Sequence, residues 1–427
     1  MTVTAADILT TESIPKYLEQ VWGLPDFSFT NDRTLATTTD DNALQGMKVD
    51  TIQGGNVNYA FCIELPALKK KMFLKQAPEF VAVFGPNGFP LTSERMKREM
   101  DVYKEWKTLL GETLGPKYLP EIYYFDRKSM VVIMEFFDGY ELLDHILVDP
   151  VGATNLNTEL VGSYLGDFMG KVHAASHSSN QNGTVSQERI AYLTSHFENR
   201  EMRDVQLEFV FTKCYKEATD EQRAGLSLST EFMEQVELLK QQYNGTDPSK
   251  NQEKNNNLVL CHGDLHPGSV MVDHETGSTK VIDPEFTVYG PAGLDVGSLL
   301  SGYCLGYIHQ SYCDDNTDNT LFSEKAKQNI LSGAKAIWKS YKEALQAGKV
   351  SEEHIKAIEI ETVGFTVAEV CRTALEFAGG RKWLQFEDPV QKSNSKKAAL
   401  QIVQHCMIDR HTGGIDLLFA EMKKAGS

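Results

Sequence analysis

The chain has 427 residues, 41% hydrophobic and 24% charged, an ordinary globular composition long enough to bury a core without staples. Its formal net charge of -17 argues against nucleic acid or an anionic membrane surface as the main partner. The seven cysteines include no CxxC pair, which speaks against a zinc ribbon and for a reducing, intracellular compartment.

No apolar signal core opens the chain, and the longest apolar run, Met130 to Phe137, is interrupted by Glu135 and is too short for a bilayer. A cytoplasmic location is therefore expected, with organelle import left open. Ile14, Tyr17, Leu18 and Val21 recur at helical spacing until Pro25, which predicts a short amphipathic helix and then a loose connector. Val57, Tyr59, Phe61, Ile63 and Leu65 alternate with smaller or polar residues, the period of a half-buried strand. Met72 to Leu74, ending at Lys75, predicts its antiparallel neighbour. Ser93 can cap a helix that runs to Leu110, with Met96, Met100, Tyr103 and Trp106 on one stripe. Tyr123 to Phe125 and Met130 to Met134 predict a hairpin, and Asp138-Gly139 a turn. From Leu160 the chain reads as helical, with Val161, Leu165, Phe168, Met169 and Val172 on one helix and further helices at Asp220 to Tyr243 and Lys325 to Ala347. One strand–loop–strand insert, Leu258 to Ile282, interrupts them, preceded by a polar surface loop from Gly245 to Asn257.

The chemistry concentrates in that insert. His262-Gly263-Asp264-Leu265-His266 and Ile282-Asp283-Pro284-Glu285 each follow a short apolar strand. Phosphoryl transfer needs a carboxylate to orient and deprotonate a hydroxyl, and further carboxylates to hold Mg²⁺ on the phosphates. A hairpin would bring Asp264 and Asp283 to one side of an ATP site. Taken singly, either aspartate reads equally well as a turn residue; the combined string favours a phosphotransferase. His262 reads as a support of the loop, and Pro267-Gly268 argues against a helical metal site with His266. Gly54-Gly55-Asn56, just before the alternating strand, can bring backbone N–H groups close to phosphates. Lys75 is placed to hold phosphates, with Glu99 as its expected helix partner and Glu94 as the alternative. Glu135, Phe136 and Phe137 form an extended segment that can offer backbone hydrogen bonds to adenine.

Strands dominate the first third and helices the rest. The expected fold class is α+β: a bilobal, protein-kinase-like fold with an antiparallel-sheet N-lobe and one long helix over 1–137, and a larger, mostly helical C-lobe over 138–427.

From about Gly54 to Arg372 the chain resembles the methylthioribose kinases, within the aminoglycoside-phosphotransferase and protein-kinase-like group. The usual metal-binding Asn five residues after the catalytic Asp is Ser269 here, and Asp283-Pro284-Glu285 replaces Asp-Phe-Gly. The stretch Asp283-Pro-Glu-Phe-Thr-Val-Tyr-Gly-Pro-Ala-Gly-Leu-Asp295 follows that family's long signature, and Pro90-Leu-Thr92 also fits it. The resemblance implies ATP and Mg²⁺ as cofactors and transfer to the 1-hydroxyl of 5-methylthioribose in methionine salvage. It assigns Asp264 as base, Asp283 and Glu285 to the metal, Asn56 and Lys75 to the phosphates, Glu135 to Phe137 to adenine, and Arg372 to the sugar. It also suggests a homodimer. Members typically carry two adjacent arginines in a late helix; here Cys371-Arg372-Thr373 leaves one, Phe89 stands where a Trp is usual, and Gly379 to Phe386 has no counterpart. The alternatives are a kinase of another sugar, an amino alcohol or an aminoglycoside, and a non-catalytic nucleotide-binding protein.

Overall fold

The structure is a computed structural model and describes residues 8–24, 27, 43–53, 55, 57–179, 185–245, 257–313, 320–378 and 381–426. The chain forms two compact units, Met1–Lys107 with Leu119–Gly139 and Thr108–Tyr118 with Tyr140–Ser427. No helix among the described residues is long and apolar enough to cross a membrane.

The first unit is built on an antiparallel sheet in the order β1-β2-β3-β5-β4. Its strands are β1 (Lys48–Thr51), β2 (Tyr59–Leu65), β3 (Lys70–Gln76), β4 (Ile122–Asp126) and β5 (Val131–Glu135). The alternation read from the sequence places Phe61, Ile63 and Leu65 on the buried face of β2. Helix α1 (Ile14–Val21) lays Ile14, Leu18 and Val21 against that face, where Met72, Leu74, Val131 and Ile133 complete the core. Strand β1 lies inside the segment expected to be a loose connector. It is only four residues long, too short for its alternation to register, and pairing with β2 from Lys48↔Glu64 to Thr51↔Phe61 holds it. Helix α2 (Arg95–Tyr118) starts two residues after Ser93 and breaks at Gly111, where φ is 74°. Ser93 does not cap it; its hydroxyl hydrogen-bonds Glu79 instead.

The second unit begins with β6 (Tyr140–Leu142), α3 (Leu143–Val148), α4 (Pro150–Asn155) and α5 (Thr158–Ser176). Then come α6 (Gln187–His196), α7 (Arg200–Phe211), α8 (Lys213–Glu217), α9 (Asp220–Arg223) and α10 (Thr230–Asn244). The single helix expected over 220–243 is split, because Ala224 (φ 47°) and Gly225 (φ 97°) both turn left-handed. After the loop expected at 245–257, of which 246–256 lie outside the described residues, come β7 (Leu258–Cys261), β8 (Val270–Asp273), β9 (Thr279–Val281) and β10 (Val288–Pro291). Strand β7 pairs with β10, and β6, β8 and β9 form a three-stranded sheet. The remaining helices are α11 (Gly293–Tyr312), α12 (Thr320–Ala347), α13 (Glu352–Ala374) and α14 (Pro389–Ala425).

Helix α11 is buried along nearly its whole length and is the axis of this unit. Helices α5 and α12 approach closely because α5 carries Gly162, Gly166 and Gly170 at four-residue steps. A Cβ at any of the three would come within 2.5 Å of α12 atoms.

Candidate active site

In the first unit, Lys75 of β3 donates to Glu99 Oε2 of α2 at 2.7 Å, with side chains 6% and 1% exposed. Desolvating two charges is costly, so such a pair contributes little net stability; what it does is fix an ammonium in one place. Glu94, the alternative partner, pairs with Lys97 on the surface. Arg95, also buried, ties down the residues entering β2: it donates to Val57 O at 3.2 Å, Asn58 Oδ1 at 2.9 Å and Pro78 O at 2.9 Å. No sequence signal marked it. Gly55 is exposed, while Gly54 and Asn56 lie outside the described residues. Glu135 ends β5, where its N–H donates to Glu121 O at 2.8 Å and its carboxylate accepts from Glu121 N–H at 3.2 Å. Phe136 O accepts from Asp138 N–H at 3.2 Å, and the Lys71 ammonium lies 5.6 Å over the Phe136 ring.

In the second unit, β7 delivers the chain into the 262–266 loop, which is locked from several sides. Gly263 has φ +90°, and a Cβ there would fall 1.9 Å from Phe286 O, so only glycine lets the Asp264 loop seat on the 284–286 turn. Asp295, in the first turn of α11, accepts from His262 N–H at 2.7 Å and Gly263 N–H at 2.9 Å. His173 of α5 adds a third contact to Asp295 at 3.2 Å, and Tyr341 of α12 holds the other ring nitrogen of His173 at 2.9 Å. Burial pushes the Asp295 carboxyl up, but His173 and the loop N–H groups outweigh it and hold it below the usual carboxylate range. Gln206 of α7 donates to Gly263 O at 2.7 Å. Asn199 donates to Glu285 O and Thr287 O, each at 3.0 Å.

These contacts define what His262 does. Its Nε2 faces Ile282 O at 2.9 Å and must carry a proton, so Nδ1 accepts from Asp264 N–H at 3.3 Å. The neutral ring is a strut between the two aspartate loops. The hairpin is present too: β8 pairs with β9 in the register Val270↔Val281, and Ile282 N–H donates to Ser269 O at 3.0 Å. The Ser269 hydroxyl donates to Asp264 O at 3.1 Å and so serves the loop.

The Asp264 carboxylate, 23% exposed, lies with Oδ2 3.8 Å from His266 Nε2 and Oδ1 4.0 Å from Arg381 Nη2. Burial, with the Arg381 charge beside it, pushes His266 down to about 3, so that ring is neutral too. Asp283 is held left-handed at φ 64°, a region that Asp tolerates better than most residues and that recurs at functional turns. Asp283 and the buried Glu285 offer carboxylate oxygens within 4.8 Å of each other. Two hard oxygen donors at this separation fit one divalent cation such as Mg²⁺.

Arg372, near the end of α13, donates to Glu369 Oε2 at 2.7 Å, and Arg381 donates to the same oxygen at 3.1 Å. Both arginine side chains are 14% exposed. Burial opposes both charges; Glu369 outweighs it at Arg372, whereas Arg372 adds to it at Arg381. The late helix supplies one arginine, as its sequence reads, and a second guanidinium joins it on Glu369 from elsewhere in the chain. The second guanidinium comes from the stretch 379–386, whose sequence matches neither a period nor a motif. A cavity of about 390 Å³ runs along residues 381–386, lined among others by Glu376, Arg381, Trp383 and Phe386; neither Asp264 nor Asp283 lines it.

Chemically, the second unit presents a carboxylate able to take a proton, two carboxylates able to hold a cation, and donors beside them. The first unit presents a fixed ammonium. The chain is 28% identical to a methylthioribose kinase of Bacillus velezensis, across 82% of this chain and 84% of that protein. It is 26% identical to a methylthioribose kinase of a Geobacillus species, across 84% and 86%. A glucosamine kinase structure covers 85% of this chain and 81% of its own at 13% identity and a TM-score of 0.45. The phosphotransferase enzyme family model matches residues 75–308, the stretch from Lys75 through Glu99, Asp264, Asp283 and Glu285 to α11, and the chain belongs to that family.

Proposed function

We propose that this protein is an ATP- and Mg²⁺-dependent kinase that phosphorylates the 1-hydroxyl of 5-methylthioribose in methionine salvage. The observation that carries the acceptor is the pair of guanidinium donors beside Asp264. Arg372 and Arg381 meet on one oxygen of Glu369 there, and the nearest histidine is neutral. A polycationic aminoglycoside calls for a surplus of carboxylates, whereas a neutral sugar is served by donors. The methylthioribose kinases among the relatives support the same choice.

In this reading the acceptor oxygen attacks the γ-phosphorus, its proton passes to Asp264, and the bond to the β–γ bridging oxygen breaks to release ADP. Asp295, through the backbone of residues 262 and 263, positions Asp264. Asp283 and Glu285 hold Mg²⁺, which when bound neutralises phosphate charge. Lys75, fixed by Glu99, contacts the α and β phosphates, with Gly54, Gly55 and Asn56 on the same phosphates. The backbone of Glu135 to Phe137 takes adenine, and Arg372 takes sugar oxygens. The reading extends to a cytoplasmic homodimer, which sedimentation equilibrium and cell fractionation test.

A coupled ADP-release assay over a panel of methylthioribose, ribose, glucosamine, choline and an aminoglycoside is the direct test. Methylthioribose is expected to give the highest kcat/KM, and Asp264→Asn to lower kcat by about 10²- to 10⁴-fold. Preference for the aminoglycoside sinks the acceptor assignment. Wild-type turnover by the Asp264→Asn variant sinks the assigned base.

A further inference from the structure

Arg381 lies beyond the 75–308 stretch matched by the family model, and the chain around it is neither helix nor strand. It is nonetheless firmly held. Trp383 is 4% exposed and lies so close to Gly306 of α11 that a Cβ there would be 3.3 Å from its ring. Three residues further along α11, His309 stacks on Phe386, with ring centroids 4.7 Å apart and planes at 17°. Gln385 Nε2 donates back to Arg381 O at 2.6 Å. Two aromatic anchors on one buried helix therefore fix the segment, and the segment fixes Arg381.

What the guanidinium reaches is informative. Its contact with Glu369 repeats one that Arg372 already makes to the same oxygen. Satisfying that carboxylate needs one guanidinium; the second brings like-charge repulsion into a mostly buried place. Its other terminal nitrogen stops 4.0 Å from Asp264 Oδ1, beyond hydrogen-bond range. Among the described residues, the buried Arg372 Nε has no hydrogen-bond partner. Each guanidinium carries five N–H donors, so both retain donors beyond those spent on Glu369.

We propose that Arg381 is an acceptor-binding and selectivity residue. With Arg372 it forms a two-guanidinium donor set beside Asp264 that takes the hydroxyl and ring oxygens of a neutral sugar and repels cationic acceptors. The inference rests on the acceptor class assigned above. It adds a residue that the chain supplies from a separate segment rather than from the helix that carries Arg372.

Arg381→Gln tests it, with steady-state kinetics on methylthioribose and calorimetric binding of ADP. The KM for methylthioribose is expected to rise about 10- to 100-fold, as for loss of a charged hydrogen bond, with a much smaller change in kcat. ADP affinity should change by less than about twofold. An amine-bearing analogue, 5-amino-5-deoxyribose, should inhibit the variant more strongly than the wild type. Arg381→Lys keeps the charge without the planar fork and should give an intermediate KM; it decides the matter if Arg381→Gln does not fold. A wild-type KM in either variant, or a loss confined to kcat or to thermal stability, overturns the proposal and leaves Arg381 a structural tie. If the wild type ignores methylthioribose but phosphorylates ribose, the acceptor assignment fails alone, and the same KM comparison on ribose decides the role of Arg381. Turnover of cationic acceptors only overturns both.

Discussion

Glu99 in the first unit and Glu369 in the second are both helix carboxylates with at least nine-tenths of the side chain buried, and they differ in what they hold. Glu99 faces the Lys75 ammonium at 2.7 Å. Glu369 faces two guanidiniums through one oxygen, at 2.7 and 3.1 Å, and the second of them also lies 4.0 Å from Asp264. A third buried carboxylate, Glu361 on α13, has no ion-pair partner among the described residues, and burial pushes it up to about 7. The same side-chain type, beside an ammonium, beside two guanidiniums, or with no ion-pair partner among the described residues, thus fixes one donor, gathers two, or resists ionisation.

The largest effect belongs to the lysine pair. Glu99→Ala removes the carboxylate from a buried ammonium and should cost about 3–5 kcal/mol in urea unfolding. Lys75→Met with Glu99→Leu should recover most of that stability, since apolar replacement of a buried pair is often neutral, while ATP turnover stays lost. Recovered turnover in the double variant would break the view that the pair exists to fix the ammonium.

Next comes the arginine cluster. Glu369→Gln should cost about 1–3 kcal/mol. Adding Arg381→Gln should then restore part of the loss, because it removes one of two like charges. A further loss would mean that the guanidiniums do not repel each other in the folded protein.

Glu361 is the third case, read through pH. Its pKa is about 7 when folded and near the ordinary 4.5 when unfolded, so between those values the folded state keeps a proton that the unfolded state releases. Its contribution is full below pH 4.5, falls as pH rises, and is gone above 7. Glu361→Gln should therefore raise Tm at pH 8 by roughly 2–5 °C relative to wild type and change it little at pH 4.5. The smallest effect is the exposed Lys71–Asp138 pair, where Lys71→Ala should leave the urea midpoint nearly unchanged.

The sheet of the first unit was legible because β2 writes the period of a half-buried strand, while β3 and β5 show as short apolar runs. β1 was not, because four residues carry no period and pairing alone sustains them. In the second unit, Asp264, Asp283 and Glu285 stood out because glycine, proline and carboxylates cluster at strand ends. Most of the support around them did not. Asp295 closes the signature stretch, but Asn199, Gln206 and His173 reach the site from other elements, and their polar contacts obey no spacing along the chain. Arg381 was invisible as a site residue for the same reason: its place is set by where Trp383 and Phe386 dock on α11.

Loop amides ordinarily exchange their protons with water quickly, because loops open without disturbing the core. The amides of residues 262 and 263 are bonded to a carboxylate at the head of the buried α11, itself held by a histidine of α5 and, through it, a tyrosine of α12. The 262–264 turn therefore cannot fray by itself. Its lifetime is the lifetime of the helical core, and heat or denaturant should leave the carboxylate of Asp264 in place until that core lets go.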